Sequence, residues 1–479
     1  MQGNSSDSSG PRTRDELEDR PNTASELLDL RDKPPQPLAP APHALGVWEL
    51  AWPTMLSLLT QTVVRWADFV MVGSLGPVAL AAVGLGGQTF WLFQSVSVIV
   101  PTGVIALLAR AVGARDDRLA DAALRQGIWL GAVLALGTAL VGLPLTEPAI
   151  AIYGVEPAVV ELGSRYIFWL LLGNVPMAIA LMFGAALRAA GDARTPLVIG
   201  VAANLLNLFL NWVLIYGNLG APALGVSGAG IASSLAMLFQ VVVFWPLWRG
   251  HRLVLAPAGA SFRPDRDVLR RIARVGYPAV IEGGLFHLGL LLFQRLMASY
   301  GTAAIAAYNV GAQILSLSFL PGIAFGTAAS TLVGQHLGEE DPAAAARSGW
   351  RSLRGAVASM TVMGAVVIAL AEPIARIFSE DPETVALTVD FIWILGAVQP
   401  LMAAEFALGG ALRGAGDTRF PLLAVFTGLF LFRLVPAAIA HALGASLQIV
   451  WSALMLDYAI KAVMLTTRFV RGRWKAVRV

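Results

Sequence analysis

The chain has 479 residues, of which 56% are hydrophobic and only 14% charged, with a net charge of +3 and no cysteine. A soluble protein carries roughly 25% charged residues; at a mean hydropathy of +0.68 this chain has too few charges to make a water-facing surface, so a bilayer must cover much of it. The lack of cysteine excludes disulfides, thiolate metal sites and a Cys nucleophile.

Residues 1–44 are polar, charged and Pro-rich, which predicts a disordered cytoplasmic tail with room for a short amphipathic helix at Ala24–Leu30. The tail lacks the apolar core and cleavage site of a signal peptide. Twelve apolar stretches follow, each near the roughly 20 residues a spanning helix needs. They cover 46–73, 84–110, 121–143, 161–187, 196–217 and 226–248, then 275–299, 305–333, 352–371, 388–411, 420–441 and 447–467. Gly and Pro clusters mark turns at Gly73–Pro77, Pro144–Pro157, Gly217–Gly228 and Glu372–Pro382.

Basic residues fall in every second loop. Arg110, Arg115, Arg118 and Arg125 share one side with Arg188 and Arg194, with seven Arg in the linker 249–274, with Arg347, Arg351 and Arg354, with Arg413 and Arg419, and with the C-terminal Arg468 to Arg478. The opposite loops hold Arg165 and Arg376. Cytoplasmic loops are enriched in Lys and Arg, so both termini are expected in the cytoplasm of a multi-pass protein of the inner cell membrane. The segment RPDRDVLRRIARVG reads as an interfacial helix joining two halves.

Offset by 225 residues, the chain aligns with itself without a gap. Pro53 falls on Pro278, Gly113 on Gly338, Glu147–Pro148 on Glu372–Pro373, and ALRAAGDARTP (Ala186–Pro196) on ALRGAGDTRFP (Ala411–Pro421). This is a duplicated six-helix unit. An even number of spans per unit gives both copies one topology, related by an axis along the membrane normal, which is a transporter architecture. The expected fold is therefore an all-α membrane protein of twelve helices in two lobes, 45–248 and 275–471, with a cytoplasmic linker at 249–274 and a cytoplasmic tail at 472–479.

The repeated loop L-R-x-A-G-D-x-R-x-P, the stretch Asp68-x-x-Met71-Val72-Gly73 with the following L-G-P-x-A-L-A-A-V-G (Leu75–Gly84), and N-L-L-N-L-F-L-N-W-V-L-I-Y-G (Asn204–Gly217) resemble the multidrug and toxic compound extrusion (MATE) family. The resemblance covers residues 45–471, with its motifs in order in both halves. It implies a V-shaped pair of lobes and a secondary antiporter that exports cationic or amphiphilic compounds against inward flow of sodium ions or protons. It also implies a small-molecule substrate and no cofactor beyond the coupling ion. A nucleic-acid partner is not expected, and the chain is expected to be a monomer in the bilayer.

Charges inside a bilayer are costly and are usually functional, paired or water-facing. Asp68, in the first span, can bind a cation or a proton, or can pair with Arg65 one turn away. Gln61, seven residues earlier, shares its face, and Asn207 and Asn211 share a face of the fifth span. Amide oxygens are hard ligands that suit sodium, and the two Asn read either as ligands or as interhelical hydrogen-bonding groups. The resemblance makes Asp68 a cation-coupling residue with Asn207 and Asn211 beside it, as a sodium site if coupling is to sodium. It points more weakly to Tyr166 and Ser233. Members of the family carry Asp or Asn at the second of these positions; Asn at both here removes one titratable group and favours sodium, though a lone Asp68 can still run on protons. Trp212 is a candidate cavity aromatic, as are Trp66, Phe69, Phe90, Trp91, Phe183 and Tyr216.

The second half does not repeat this set, since Asp68, Asn207 and Asn211 align with Phe293, Phe432 and Pro436. It carries Glu282, His287, Arg295, Glu405, Arg433, Asp457 and Lys461 instead. Glu282, aligned with Ser57, sits about one turn before a functional Glu of some family members and is a further candidate. Asp457 and Lys461 are spaced for a structural pair, and Glu405 and Arg433 for an interhelical one. The Gly-Asp-x-Arg loops read as tight turns with positive-inside charge. A lipid-linked sugar flippase of related fold is the alternative function, and it would require a strongly cationic cavity. No H-E-x-x-H, G-x-S-x-G or phosphate-binding loop argues for an enzyme.

Overall fold

A computed structural model describes residues 46–477, except the side chains of Val96 and Val98. The predicted tail and the Ala24–Leu30 segment lie outside the described residues. Among the described residues ten helices are long and apolar enough to cross a membrane, and two bent helix pairs complete twelve spans. In the first lobe these are α1 Val47–Gly73, α2 in two segments (Pro77–Gln94 and Ile99–Gly113), α3 Asp117–Gly142, α4 in two segments (Pro157–Leu172 and Asn174–Ala189), α5 Arg194–Tyr216 and α6 Val226–Arg249. In the second lobe they are α7 Arg266–Ala298, α8 Thr302–Gly338, α9 Pro342–Ala369, α10 Pro382–Gly414, α11 Arg419–Ala442 and α12 Leu447–Arg471.

The sequence expectation of a separate interfacial helix gives way to something simpler. Helix α7 starts at Arg266, capped by Asp265, and runs unbroken into its span. The linker before it is strapped to the first lobe. Asp121 accepts from the amides of Ala258 and Ala260, Gln126 donates to the Arg263 carbonyl, and Arg125 lies over the rings of Trp248 and Phe262.

Helices α2 and α4 each bend by 51°. Proline removes one donor and crowds the carbonyl four residues back; Pro101 does this to Ser97 in α2 and Pro176 to Leu172 in α4. Gly173 at the α4 bend lets Ser234 of α6 come so close that any Cβ there would collide with it. The two bends are tied together by Gln94 Nε2 donating to Asn174 Oδ1 at 2.6 Å. Their repeat equivalents α8 and α10 stay continuous despite Pro321 and Pro400. The second lobe has its own irregularity, a π-helical stretch at Thr427–Leu434 in α11.

The lobes meet at the helix ends that carry the basic loops. A Cβ at Gly113 would collide with the Gln335 carbonyl, and one at Gly338 with the Arg110 carbonyl. Residues 110 and 335 are themselves repeat mates, so the seam obeys the pseudo-twofold axis. Three sets of polar contacts reinforce it. Gln335 Nε2 donates to the Ala189 carbonyl at 2.9 Å, Thr331 Oγ1 to the Arg188 carbonyl at 3.2 Å, and Arg110 Nη2 to the carbonyls of Ala415 and Val477 at 2.9 and 2.7 Å.

Candidate functional site

The bends of α2 and α4 open a cavity of about 660 Å³, and every residue lining it comes from the first lobe, between Ser57 and Phe244. Helix α1 contributes Ser57, Gln61, Arg65 and Asp68 along one face. The bend residues Gln94, Ser97, Pro101, Gly173 and Met177 line its middle.

Asp68 sits five residues before the end of α1 at Gly73. Asn211 Nδ2 donates to Asp68 Oδ1 at 2.5 Å. In the amide orientation that satisfies its neighbours, Asn207 Nδ2 donates to the same oxygen at 3.1 Å, while its own oxygen accepts from the Ser233 amide at 3.2 Å. The two Asn are buried, and Asn211 Oδ1 has no hydrogen-bond partner. No ion pair joins Asp68 to Arg65 among the described residues, although both line the cavity. One carboxylate with two amides and a free amide oxygen suits a single monovalent cation or a proton. Among the described residues no group of three or more His, Cys, Asp and Glu forms a metal cluster.

Of the other candidates, Tyr166 and Ser233 line the cavity, and so does Gln61, which reaches Ser57 Oγ at 3.4 Å. Phe69, Phe90 and Trp91 also line it. Phe183 is buried behind Phe244, stacked at 5.3 Å. Trp212 does not line the cavity; it stands 44% exposed beside Phe209 on the outside of α5. Trp66 is likewise turned outward, and Tyr216 donates to the Met71 carbonyl.

Glu282 belongs to a different constellation. Its Oε1 pairs with Arg413 Nη1 at 3.0 Å in the second lobe. Nearby, Lys461 bridges Glu405 at 2.9 Å and Asp457 at 3.2 Å, and Asp457 also binds Arg433 at 2.5 Å. The expected Asp457–Lys461 pair is present; the expected Glu405–Arg433 pair is not, because Lys461 takes Glu405 and Arg433 takes Asp457. Arg433 reaches its partner from the π-helical stretch, where Gly428 packs against Asp457 and Lys461. Three acids meet three bases here, so the cluster is neutral. His287 faces the Gly283 carbonyl at 2.8 Å.

Sequence reasoning gave Arg188 a topological role alone, yet its side chain lines the cavity. It also passed over Gln94 and Asn174, whose pairing holds the bends. The repeat alignment places Arg188 on Arg413 and Ser57 on Glu282, but that Arg413 pairs with Glu282 is seen only in the structure.

Two lobes of six spans, related by a pseudo-twofold axis and sealed at one face, with a largely apolar first-lobe cavity that carries Asp68, define a membrane transporter. The chain belongs to the MatE family, whose profile matches residues 53–213 and again 278–439, once per repeat. It is 30% identical over 437 residues to a probable multidrug resistance protein NorM of Thermotoga maritima, covering 89% of this chain and 92% of that one. It is 29% identical to the multidrug resistance protein NorM of Burkholderia vietnamiensis, covering 89% and 94%. Among solved structures, a multidrug resistance MATE family transporter in an outward-facing conformation superposes with a TM-score of 0.81 at 23% identity, covering 89% of this chain and 94% of that one. A MOP superfamily transporter from Pyrococcus furiosus, described as having a binding pocket of reverse polarity, superposes with a TM-score of 0.82 at 22% identity over the same shares.

Proposed function

We propose that this transporter is a secondary antiporter of the cytoplasmic membrane that exports small cationic or amphiphilic compounds, drugs among them, in exchange for sodium ions or protons. The observation that carries this reading is Asp68 at the wall of the first-lobe cavity, held by the amides of Asn211 and Asn207. The multidrug resistance names of the relatives support the substrate class. With both termini cytoplasmic, the glycine seam closes the cytoplasmic side, so the cavity faces outward and can receive the coupling cation.

In this mechanism the outside cation takes the Asp68 carboxylate and displaces a substrate cation that shares it. Loading changes the hydrogen bonding of Asp68, and α1 shifts against α5. The lobes then part at the seam, and the cavity reopens to the cytoplasm. Sodium is the favoured ion, because Asn211 Oδ1 offers a buried neutral oxygen beside the carboxylate. The test is efflux of cationic dyes from proteoliposomes under an imposed sodium gradient or an imposed pH gradient. Asp68→Asn should abolish efflux while the protein remains in the membrane; normal export by that variant would sink the mechanism.

A further inference from the structure

Among the described residues three charged side chains line the cavity, Asp68, Arg65 and Arg188, and coupling at Asp68 does not use the last. The Arg188 guanidinium lies back along α4 over Gly184, where a Cβ would come within 3.3 Å of Nη1. It lines the cavity and has no side-chain hydrogen bond or ion pair among the described residues. Its repeat mate Arg413 takes the same posture over Gly409, with Nη2 3.3 Å from the corresponding Cβ position. There the posture has an evident reason, because Glu282 holds Arg413 at 3.0 Å. In the first lobe Ser57 stands where Glu282 stands in the second. The two arginines thus share a position and a posture, but the second-lobe arginine has a carboxylate partner and the first-lobe arginine faces a cavity in its place.

A guanidinium withdrawn from bulk water without a counter-ion is costly, and a planar carboxylate can satisfy it with paired hydrogen bonds. Asp68, the one acid among the described lining residues, does not supply this. It lies eleven residues beyond Ser57 on α1, about 16 Å away along the helix axis, with Arg65 nearer to it. Aromatic groups, among them Phe90, Trp91 and Phe244, line the cavity as well.

We propose that Arg188 is the receptor for the anionic group of a transported compound that carries one, and that it sets the cavity's preference for such compounds. The carboxylate of such a compound takes the place that Glu282 fills in the other lobe, and its cationic end points toward Asp68. This rests on the export reading above and adds a second recognition point to it.

The test compares a xanthene dye bearing a free carboxylate with the same dye as its ethyl ester, which is cationic only. Binding to the purified full-length transporter is followed by fluorescence polarisation, and gradient-driven transport is measured in proteoliposomes. A charge-assisted pair predicts that the native protein prefers the acid over the ester by about tenfold or more. In Arg188→Gln the acid-to-ester ratio falls to about one, and in Arg188→Lys part of it survives. Ser57→Glu gives Arg188 the partner that Arg413 already has and should also collapse the ratio with the arginine still in place, which guards against a misfolded Arg188 variant. A native ratio near one overturns the proposal. So does a ratio that Arg188→Gln or Ser57→Glu leaves unchanged, or a parallel loss of acid and ester binding. If the binding preference holds but no gradient drives transport, the antiport reading fails and this one stands.

Discussion

Asn211 donates its side-chain amide to Asp68 across 2.5 Å, and that leaves Asn211 Oδ1 buried with no hydrogen-bond partner. A buried acceptor without a donor is unfavourable, and beside a carboxylate it is where a monovalent cation finds most to gain. Asn211→Ala removes both the donor to Asp68 and the free oxygen. The cation concentration that half-saturates efflux should rise about tenfold or more, the cost of leaving a buried charged group short of one partner. Measuring dye efflux over a range of sodium concentrations checks this; an unchanged half-saturation point would remove Asn211 from the cation site.

The seam at Gly113 and Gly338 makes a conformational prediction. A side chain at either position would run into the carbonyl of Gln335 or Arg110 in the opposite lobe. Overpacking of this kind costs about 1–3 kcal/mol, and only the state closed on the basic face bears it. Gly113→Val should therefore favour opening at that face by about tenfold. The chain contains no cysteine, so introduced thiols report without background. In an otherwise native protein, a thiol at the buried seam position Thr331 (Thr331→Cys), where it replaces a hydroxyl of similar size, should be shielded from a thiol reagent added on the basic-loop side. In the Gly113→Val background the same thiol should label about tenfold faster.

The fold was largely legible because it is written twice. The 225-residue offset, the basic loops and the twelve apolar stretches are local, repeated signals, and they predicted the span count and the two-lobe plan. The Asp68, Asn207 and Asn211 group was legible from spacing on two helices together with the resemblance. What could not be read is what depends on how helices meet. The bends in α2 and α4 come from prolines, yet the second lobe keeps Pro321 and Pro400 in continuous helices. The bend prolines Pro101 and Pro176 have Gly326 and Leu401 as repeat mates, and the close approach at Gly173 and the Gln94–Asn174 hydrogen bond at the bends are contacts that only the packed structure reveals. Partner choice in the second lobe was missed for the same reason: the π-helical stretch turns Arg433 toward Asp457 and leaves Glu405 to Lys461. Trp212 was misplaced because α5 is apolar nearly all round, so periodicity alone does not decide which of its aromatic side chains turns toward a cavity.

That second-lobe cluster predicts a stability effect. Lys461 and Asp457 are fully buried and Arg433 is 2% exposed. Removing one member of a buried ion network strands its partners and costs about 3–5 kcal/mol, whereas replacing both members of a pair costs much less. Lys461→Met should therefore lower the Tm of the detergent-solubilised protein sharply, and Lys461→Met with Glu405→Leu should recover part of the loss. A Lys461→Met protein of native Tm that no longer transports would instead make the cluster part of the transport pathway.

The last turn of the chain acts as a clasp. Trp474 is buried, stacked on Phe469 at 4.7 Å with its indole N–H donating to the Phe469 carbonyl at 2.8 Å. This fixes the short helix Arg473–Ala476 and places the Val477 carbonyl 2.7 Å from Arg110 Nη2, across the lobe boundary. The bond from Arg110 to the Ala415 carbonyl also crosses to the second lobe. Both bonds must break when the lobes part at the basic face. Trp474→Ala removes the anchor and should destabilise the second lobe by about 3 kcal/mol, read as a lower Tm. Truncation after Gly472 removes the Val477 acceptor as well, and it should speed opening of the seam by the worth of one charge-assisted hydrogen bond, about tenfold. The rate is measured by the accessibility of Thr331→Cys, a buried seam position where the thiol replaces a hydroxyl of similar size, to a thiol reagent added on the basic-loop side. Labelling at the same rate in the full and truncated chains would show that the clasp ties the tail down without restraining the lobes.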